Sequence, residues 1–545
     1  MAFRRDFLLP LAALCLLAGC SRRLSGNATV QNLPDKEINI VYESDVHCGV
    51  DGYATLAALR NDLKARTPYV ATVSSGDFVQ GDVVGAKTRG ASIIRIMNAV
   101  GYDFFTLGNH EFDYGVPRLF ELMDSLCATP LCCNFYELDK EQLVFAPYNI
   151  VSYGNVRVAF IGFATPVTMG SVSYSTFRDD DGYLKYGFSE NDFMENAQKY
   201  INKARADGAD YVVALAHLGD EAYEGLITSL DLIAGTTGID VVLDGHAHHV
   251  IPDSIVCNLK GNPVILTSPG TKLNNIGVLT IGTNGKLSTR LVPTDSYTGI
   301  DQTVAALVSK EKETILKEGQ TVCGNTPFEL PCRDNEDKWL VRYQETPIAN
   351  FFTDALRCKY KTEIGIVNGG GIRAGIAAGD ITANDIFAIE PFGNFCCVGT
   401  ISGRQLMDAL EFGARLMPLE NGDLLQVSGI RYEVDCSVTT HFQTDADGLF
   451  TGVPEGSPRR VSNLQVLDAS TGLYQPVNPD RRYSIASTDY LMMEAGCYGI
   501  LERASVDERT TDLVRDVISE YLRATLNGVM PGRYSRTEGR ITIRR

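Results

Sequence analysis

Seven histidines occur in 545 residues, and five of them sit just behind short apolar runs. INIVYE is followed by SDVHCG, carrying Asp45 and His47. YVATVSS is followed by GDFVQG with Asp77, and YDFFTL by GNHEFD with Asn109, His110 and Asp113. ADYVVALA leads to His217, and IDVVLD leads to GHAHH with His246 and His248. Imidazole, carboxylate and carboxamide groups are ligands for divalent ions. A buried imidazole kept only for packing needs a hydrogen-bond partner each time, so this many interleaved acids and imidazoles point to a metal centre. Asp45, His47, Asp77, Asn109, His217, His246 and His248 are more candidates than one tetrahedral zinc can use. They suit two ions about 3.5–4 Å apart sharing a carboxylate, an arrangement that serves phosphoester cleavage. Asp77 is the best candidate bridge. His110 adjoins Asn109 too closely to be an independent ligand without strain, which leaves it a cationic or hydrogen-bonding role toward a phosphoryl group. Asp113, three residues on, can hold its ring; the other reading of Asp113 is a turn or helix cap.

These residues must be brought together by the elements before them. Runs 38–43, 69–75, 102–107, 156–164, 209–216 and 239–244 read as β-strands, with helical patterns such as ASIIRIMNAVG and DFMENAQKYINKARADGA between several of them. Strands that are apolar on both faces and alternate with helices indicate an α/β domain. In a mostly parallel sheet the C-terminal strand ends share one edge, where ligands bind. The polar stretch 167–190 reads as a surface insertion. DQTVAALVSKEKETILKE (301–318) reads as a helix whose thin apolar stripe connects rather than packs into a core. Beyond about residue 335 a second mixed α/β region begins. The expected organisation is a first domain over 37–300, a helical linker over 301–334 and a second domain over 335–545.

The N-terminus, MAFRRDFLLPLAALCLLAGC, has two arginines, an apolar segment and small residues, the pattern of a secretory signal. It ends in a lipobox-like LAGC, which predicts lipidation of Cys20 and a polar tether over 21–36; the alternative is a secreted protein whose Cys20 is incidental. This predicts a bacterial envelope location, with the membrane met only through that lipid. The net charge of −18 argues against a nucleic-acid polymer as partner, but not against a small phosphorylated ligand. Cys323 and Cys332 could clip a loop, whereas the adjacent pairs Cys132–Cys133 and Cys396–Cys397 read as core thiols.

SDVH, GDFVQG, GNHEFD, AHLG and GHAH, in that order, resemble the calcineurin-like metallophosphoesterases. NGGGIR (368–373) followed by EPFGN (390–394) makes the chain similar to the two-domain 5′-nucleotidase family. The resemblance implies a four-layer αββα domain followed by a smaller mixed α/β substrate-recognition domain. It implies two divalent ions (Zn, Mn, Co or Mg), one held by Asp45, His47, Asp77 and His248, the other by Asp77, Asn109, His217 and His246. His110 and Asp113 match the family's catalytic dyad. In NGGGIR the glycines allow close backbone approach, and Arg373 offers a bidentate fork for phosphate; Arg342 matches a second phosphate-contacting arginine. Asn368 and Gly371 match positions near the base. The two aromatics that clamp a base in the family fall at Leu424 and Tyr498, and Gly496 stands where an aspartate usually holds the ribose. The expected activity is release of phosphate from nucleoside 5′-phosphates. The alternatives are 2′,3′-cyclic nucleotide phosphodiesterase, UDP-sugar hydrolase or other phosphomonoesterase activity, or a non-catalytic binding protein on the same fold.

Overall fold

The computed structural model describes residues 32–172, 174–179, 181–189, 192–220, 227–317, 319–444, 450–494, 501 and 505–544. The first domain is two six-stranded sheets packed face to face. One runs, edge to edge, Leu287–Pro293, Asn275–Ile281, Ile38–Glu43, Val70–Ser74, Phe104–Phe105 and Thr129–Pro130. The other runs Val250–Cys257, Pro263–Pro269, Val241–Leu243, Tyr211–His217, Val156–Ala164 and Tyr148–Tyr153. Alternation along each strand divides its side chains between two cores. Ile38, Ile40 and Tyr42 meet Tyr211, Val213 and Leu215 between the sheets. Val41 points outward to the helices Tyr53–Lys64 and Ala91–Val100, and Val212 to the helices Phe193–Ala206 and Ser229–Gly235 on the opposite side. The result is the expected αββα layering.

Within each sheet the central strands are parallel. Ile38–Glu43 pairs with Val70–Ser74 and that strand with Phe104–Phe105; Tyr211–His217 pairs with Val156–Ala164 and with Val241–Leu243. Their C-terminal ends therefore open on one edge of the domain. The two sheets are locked there by the Ser75 hydroxyl, which donates to the Leu243 carbonyl at 2.7 Å. The 102–107 run forms only the two-residue ladder Phe104–Phe105 before turning into the site.

Two expectations differ from the structure. Within 167–190, Val172 and Phe177 are buried in the first domain's core, and Tyr186–Phe188 pairs with Phe135–Glu137, so part of that segment is packed rather than a surface insertion. The aromatic contacts of Phe177 with Phe112 and Phe135 supply the reason; its apolar residues are too sparse to show a period. The helix Gln302–Lys317 both connects and packs: Val304, Val308 and Ile315 are buried in the same core, and Arg95 pairs with Glu311 on its exposed side. The second domain carries a five-stranded sheet (Leu425–Ser428, Ile364–Asn368, Arg482–Thr488, Phe395–Ser402, Ser505–Leu513) and a four-stranded one (Leu473–Pro476, Val461–Asp468, Ile430–Asp435, Ile541–Arg544). Cys132, Cys133, Cys396 and Cys397 are buried free thiols, and Cys323 and Cys332 are also free. No helix of the described residues is long and apolar enough to cross a membrane.

The second domain is closed by a buried polar knot. Asp354, on the helix Pro347–Tyr360, accepts from Ser428 at 2.5 Å, Tyr534 at 2.8 Å and Arg540 at 2.9 Å. Burial raises the Asp354 pKa, but Arg540 and the hydroxyls more than offset it, leaving it below its ordinary value. Asp354→Ala, which strands Arg540, should cost about 3–5 kcal/mol in a denaturant titration. Because the folded pKa is depressed, the stability gap between wild type and Asp354→Asn should be full above about pH 4 and shrink as the pH falls below it.

Candidate active site

Every expected metal-ligating side chain lies at the shared strand edge. The Nε2 atoms of His47 and His248 are 2.9 Å apart, and His248 Nε2 is 3.5 Å from Asp45 Oδ1. His217 Nε2 is 3.1 Å from Asp77 Oδ2 and 3.9 Å from Asp45 Oδ1, and His47 Nε2 is 3.8 Å from Asp77. Three groups of ligand atoms fall within 4.8 Å of one another: Asp45, His47 and His248; His47, Asp77 and His110; Asp77, His217 and His246. Asp77 belongs to two of them, the position expected of a bridging carboxylate.

The backbone that presents these groups is strained. Asp45, His47, Asp77, His246 and His248 all have positive φ, between 45° and 81°, a region that L-residues seldom occupy and that costs on the order of 1–3 kcal/mol each at functional sites. Surrounding hydrogen bonds hold it. Asp45 N–H donates to Gly76 O, His47 N–H to Asp77 O, and Asp82 N–H to His47 O. The Asp45 carboxylate accepts from His246 N–H at 3.0 Å and from the Ser44 hydroxyl at 2.6 Å. Close approach requires glycine at two places: a Cβ on Gly108 would lie 2.1 Å from Asp77 Oδ1, and one on Gly245 1.9 Å from Ser44 Oγ.

Glu111 is the organising residue that the sequence reading left without a role. Its carboxylate is 1% exposed and accepts from four backbone N–H groups: Asp77, Phe78, Val79 and Gly108. It thereby fastens the GDFV loop to the GNHE loop. Burial and Asp77 raise its pKa, while the N–H donors pull the other way. The signal was present in GNHEFD, but only the fold shows which donors face the acid.

The donor set fits divalent cations. His47 Nδ1 faces Gln80 O at 3.1 Å and His217 Nδ1 faces Ser75 O at 2.7 Å, which places a proton on each Nδ1 and turns each Nε2 toward the acids. Burial holds His47 and His248 well below the ordinary imidazole pKa and His246 near 3, against the upward pull of Asp77, so these rings are neutral ligands. Asn109 Oδ1 is buried without a hydrogen-bond partner among the described residues, and His217 Nε2 faces the Asp77 carboxylate. Burial opposes charge on His217, yet Asp77 and Asp45 raise its pKa. Two buried carboxylates here thus draw positive charge to themselves, which is the electrostatics of a cation site.

His110 lies beside the ligands, its ring centroid 5.1 Å from that of His47, and carries a carboxylate partner of its own. Its Nδ1 is 2.7 Å from Asp113 Oδ2, and its main-chain N–H donates to Asp77 Oδ1. Burial lowers its pKa, but Asp113 and Asp77 more than offset this and hold it above the ordinary value. Asp113 therefore orients the ring; it follows the short helical turn His110–Phe112, where its main-chain N–H, not its carboxylate, bonds back to His110 O.

A cleft of about 1560 Å³ joins this edge to the second domain. Arg342, Asn368, Gly371 and Arg373 line it opposite Asn109, His110, His246 and His248. Arg342 Nε and Asn368 Oδ1 are buried without partners among the described residues. Burial and Arg373 push the Arg342 pKa down to about 9. Leu424 is a correction: it is fully buried in the core of the second domain and is absent from the cleft wall. It leads into the strand Leu425–Ser428 and is held by its N–H to Asn421 O. Tyr498, Gly496 and Cys20 lie outside the described residues. The aromatic rings in the cleft are instead Trp339, Tyr343, Phe392, Phe395 and Tyr490, and Arg333 is a further cation there. Phe392 lies inside the quoted EPFGN, but neither it nor the others was given a role from sequence, because nothing in their spacing marks one.

The calcineurin-like phosphoesterase family pattern matches residues 38–250, and the 5′-nucleotidase C-terminal domain pattern matches residues 324–503. A trifunctional nucleotide phosphoesterase of Bacillus subtilis is 24% identical over 93% of this chain, which spans 35% of that longer protein. A snake venom 5′-nucleotidase of Gloydius brevicauda is 25% identical over 93% of this chain and 88% of its own length. The crystal structure of a 5′-nucleotidase precursor from Thermus thermophilus superposes with a TM-score of 0.77 at 24% identity, over 93% of this chain and 99% of the other. The two patterns in their order, and a matching two-domain fold around the acid–imidazole edge, show that the chain belongs to the two-domain 5′-nucleotidase family and is a metal-dependent phosphoester hydrolase.

Proposed function

We propose that the protein is a two-metal phosphomonoesterase of the 5′-nucleotidase type, acting on small phosphorylated substrates in the bacterial envelope, to which Cys20 anchors it. The observation that carries the reading is the convergence of Asp45, His47, Asp77, His217, His246 and His248 on one edge, facing two arginines across a cleft. The anchor rests on the LAGC sequence alone. Asp45, His47, Asp77 and His248 would hold one ion, and Asp77, Asn109, His217 and His246 the other. When bound, two such ions supply Lewis acidity toward a phosphoryl oxygen and lower the pKa of a water.

The chain's own groups do the rest. Arg373 and Arg342 present fixed positive charge to the non-bridging phosphoryl oxygens. His110, oriented by Asp113, which also favours its protonated form, donates to the phosphoryl or leaving oxygen as negative charge builds there. Asn368 lies at the wall where a leaving group would rest. Leu424 lies in the core, so the base-stacking face expected at that position is absent; the aromatic surface of the cleft comes from other residues.

Side-by-side assays of nucleoside 5′-monophosphates, 2′,3′-cyclic nucleotides, UDP-glucose and sugar phosphates should give the highest kcat/KM for a 5′-nucleotide. If only a non-nucleotide is cleaved, the 5′-nucleotidase reading is wrong. Phosphate release should vanish with EDTA and return with Mn²⁺, Zn²⁺ or Co²⁺; metal binding without any phosphate release would instead support the non-catalytic alternative. Asp77→Asn should lower the content of both metals by elemental analysis. His110→Asn should keep the metals and lower kcat by roughly 10²–10⁴-fold. Loss of metal from His110→Asn, with full activity per bound metal, would overturn that assignment.

A further inference from the structure

The arginines lining the cleft are Arg333, Arg342, Arg373, Arg415 and Arg509. The first three lie against the Trp339 ring, and Arg415 is paired with Asp423 at 2.6 Å. Arg509 stands elsewhere, its guanidinium 4.9 Å from the Phe395 ring centroid. The phosphoryl reading above gives it nothing to do.

A buried carboxylate builds the corner that holds it. One oxygen of Asp489 accepts from Arg509 Nε at 3.0 Å and lies 2.8 Å from Arg509 Nη2. The other oxygen accepts from Phe395 N–H at 3.0 Å and Tyr490 N–H at 2.9 Å. Asp489 thus gathers two aromatic residues and a guanidinium from the strand Ser505–Leu513 at one point of the cleft wall. Its side chain is 6% exposed, whereas that of Arg509 is 49% exposed. Neutralising Asp489 takes only one edge of the guanidinium. The outer edge, made by Nη1 and the second Nη2 hydrogen, has no partner among the described residues. The Phe395 ring and the grip of Asp489 together fix that edge in one plane.

The loop before Phe395 sets where this edge stands. Glu390 is fully buried and accepts from Gly393 N–H at 3.1 Å, Asn394 N–H at 3.2 Å and Asn394 Nδ2 at 3.0 Å. On the loop so braced, Phe392 lies 5.8 Å from the Arg373 guanidinium, and Phe395 carries Arg509. The three residues from one ring to the other span at most about 11 Å, the scale of a sugar and a base. Arg373 faces the phosphoryl group, so Arg509 falls where the far edge of a leaving group would rest, on the wall it shares with Tyr490.

Two parallel N–H groups suit two acceptors side by side. The O6 and N7 atoms of a 6-oxopurine offer that pair, whereas adenine sets an amino donor beside N7 and would bring N–H against N–H. We infer that Arg509, held by Asp489, is a specificity-determining residue that reads the leaving nucleoside, and that the favoured substrates are 6-oxopurine nucleoside 5′-phosphates such as GMP and IMP. This rests on the 5′-nucleotidase reading of the same cleft.

The test measures phosphate release from GMP, IMP, AMP and 7-deaza-GMP, and binding of guanosine and adenosine by calorimetry, all on metal-loaded protein. Wild type should favour GMP and IMP over AMP roughly 10–100-fold in kcat/KM, the discrimination of one bidentate base contact. It should lose most of that advantage with 7-deaza-GMP. Arg509→Gln should bring the GMP-to-AMP ratio close to one, through KM rather than kcat, and make GMP and 7-deaza-GMP equivalent. Arg509→Lys should retain part of the preference. Equal kcat/KM for GMP and AMP in wild type would overturn the assignment. So would a ratio that Arg509→Gln leaves unchanged, including equal losses for both nucleotides, the mark of a counter-ion to Asp489 alone. If no nucleotide is hydrolysed, the 5′-nucleotidase reading falls, while the guanosine-to-adenosine binding ratio and its response to Arg509→Gln still decide the role of Arg509.

Discussion

One buried carboxylate holds the reaction centre in shape. Glu111 takes four backbone N–H groups from two separate loops, so the loop carrying Asp77 and the loop carrying Asn109 and His110 cannot move apart without stranding a buried carboxyl and its donors unpaired. Buried polar groups left without partners are among the more expensive defects a fold can carry. The Ser75 hydroxyl adds a second tie, across the two sheets, and the Ser75 carbonyl receives His217 Nδ1. Residues from both sheets are thus positioned by backbone bonds, with the side chains left free to face inward.

The second domain answers this acid-lined edge with positive charge on a single aromatic support. Arg342 and Arg373 share the Trp339 ring, and the 3₁₀ turns Leu340–Arg342 and Gly369–Gly371 lie against each other. Gly369 must be small, since a Cβ there would lie 2.3 Å from the Val341 carbonyl oxygen. Packing thus sets where the two guanidiniums emerge, and the cleft between domains becomes a place where opposite potentials meet.

Much of this was legible in the residues themselves. The strand runs ending in SDVH, GDF, GNH and GHAH placed the ligands, because a parallel sheet gathers its C-terminal ends whatever the sequence separation. The α/β class followed from strands apolar on both faces, whereas the four layers came from the family resemblance. Leu424 was misplaced because a motif position says which residue follows which, not which way a strand turns its side chain; in the fold it points into the core. Glu111 stood inside a quoted motif, yet a carboxylate that serves backbone donors leaves no spacing to read. Trp339 and Arg333 were invisible for a similar reason: a ring–guanidinium stack has no characteristic sequence pattern. The helix Gln302–Lys317 looked too polar to pack, but three buried residues, Val304, Val308 and Ile315, suffice where neighbouring helices cover the remainder.

The left-handed backbone at Asp45, His47, Asp77, His246 and His248 carries an evolutionary implication. Glycine adopts that conformation without penalty, and asparagine more readily than most residues, so drift at a disused centre would relieve tension and harden the fold against heat. A lineage that had abandoned turnover would be expected to slide toward such replacements within a few steps. Imidazoles and carboxylates at five uncomfortable torsions describe a nest shaped against the local preference of its own backbone.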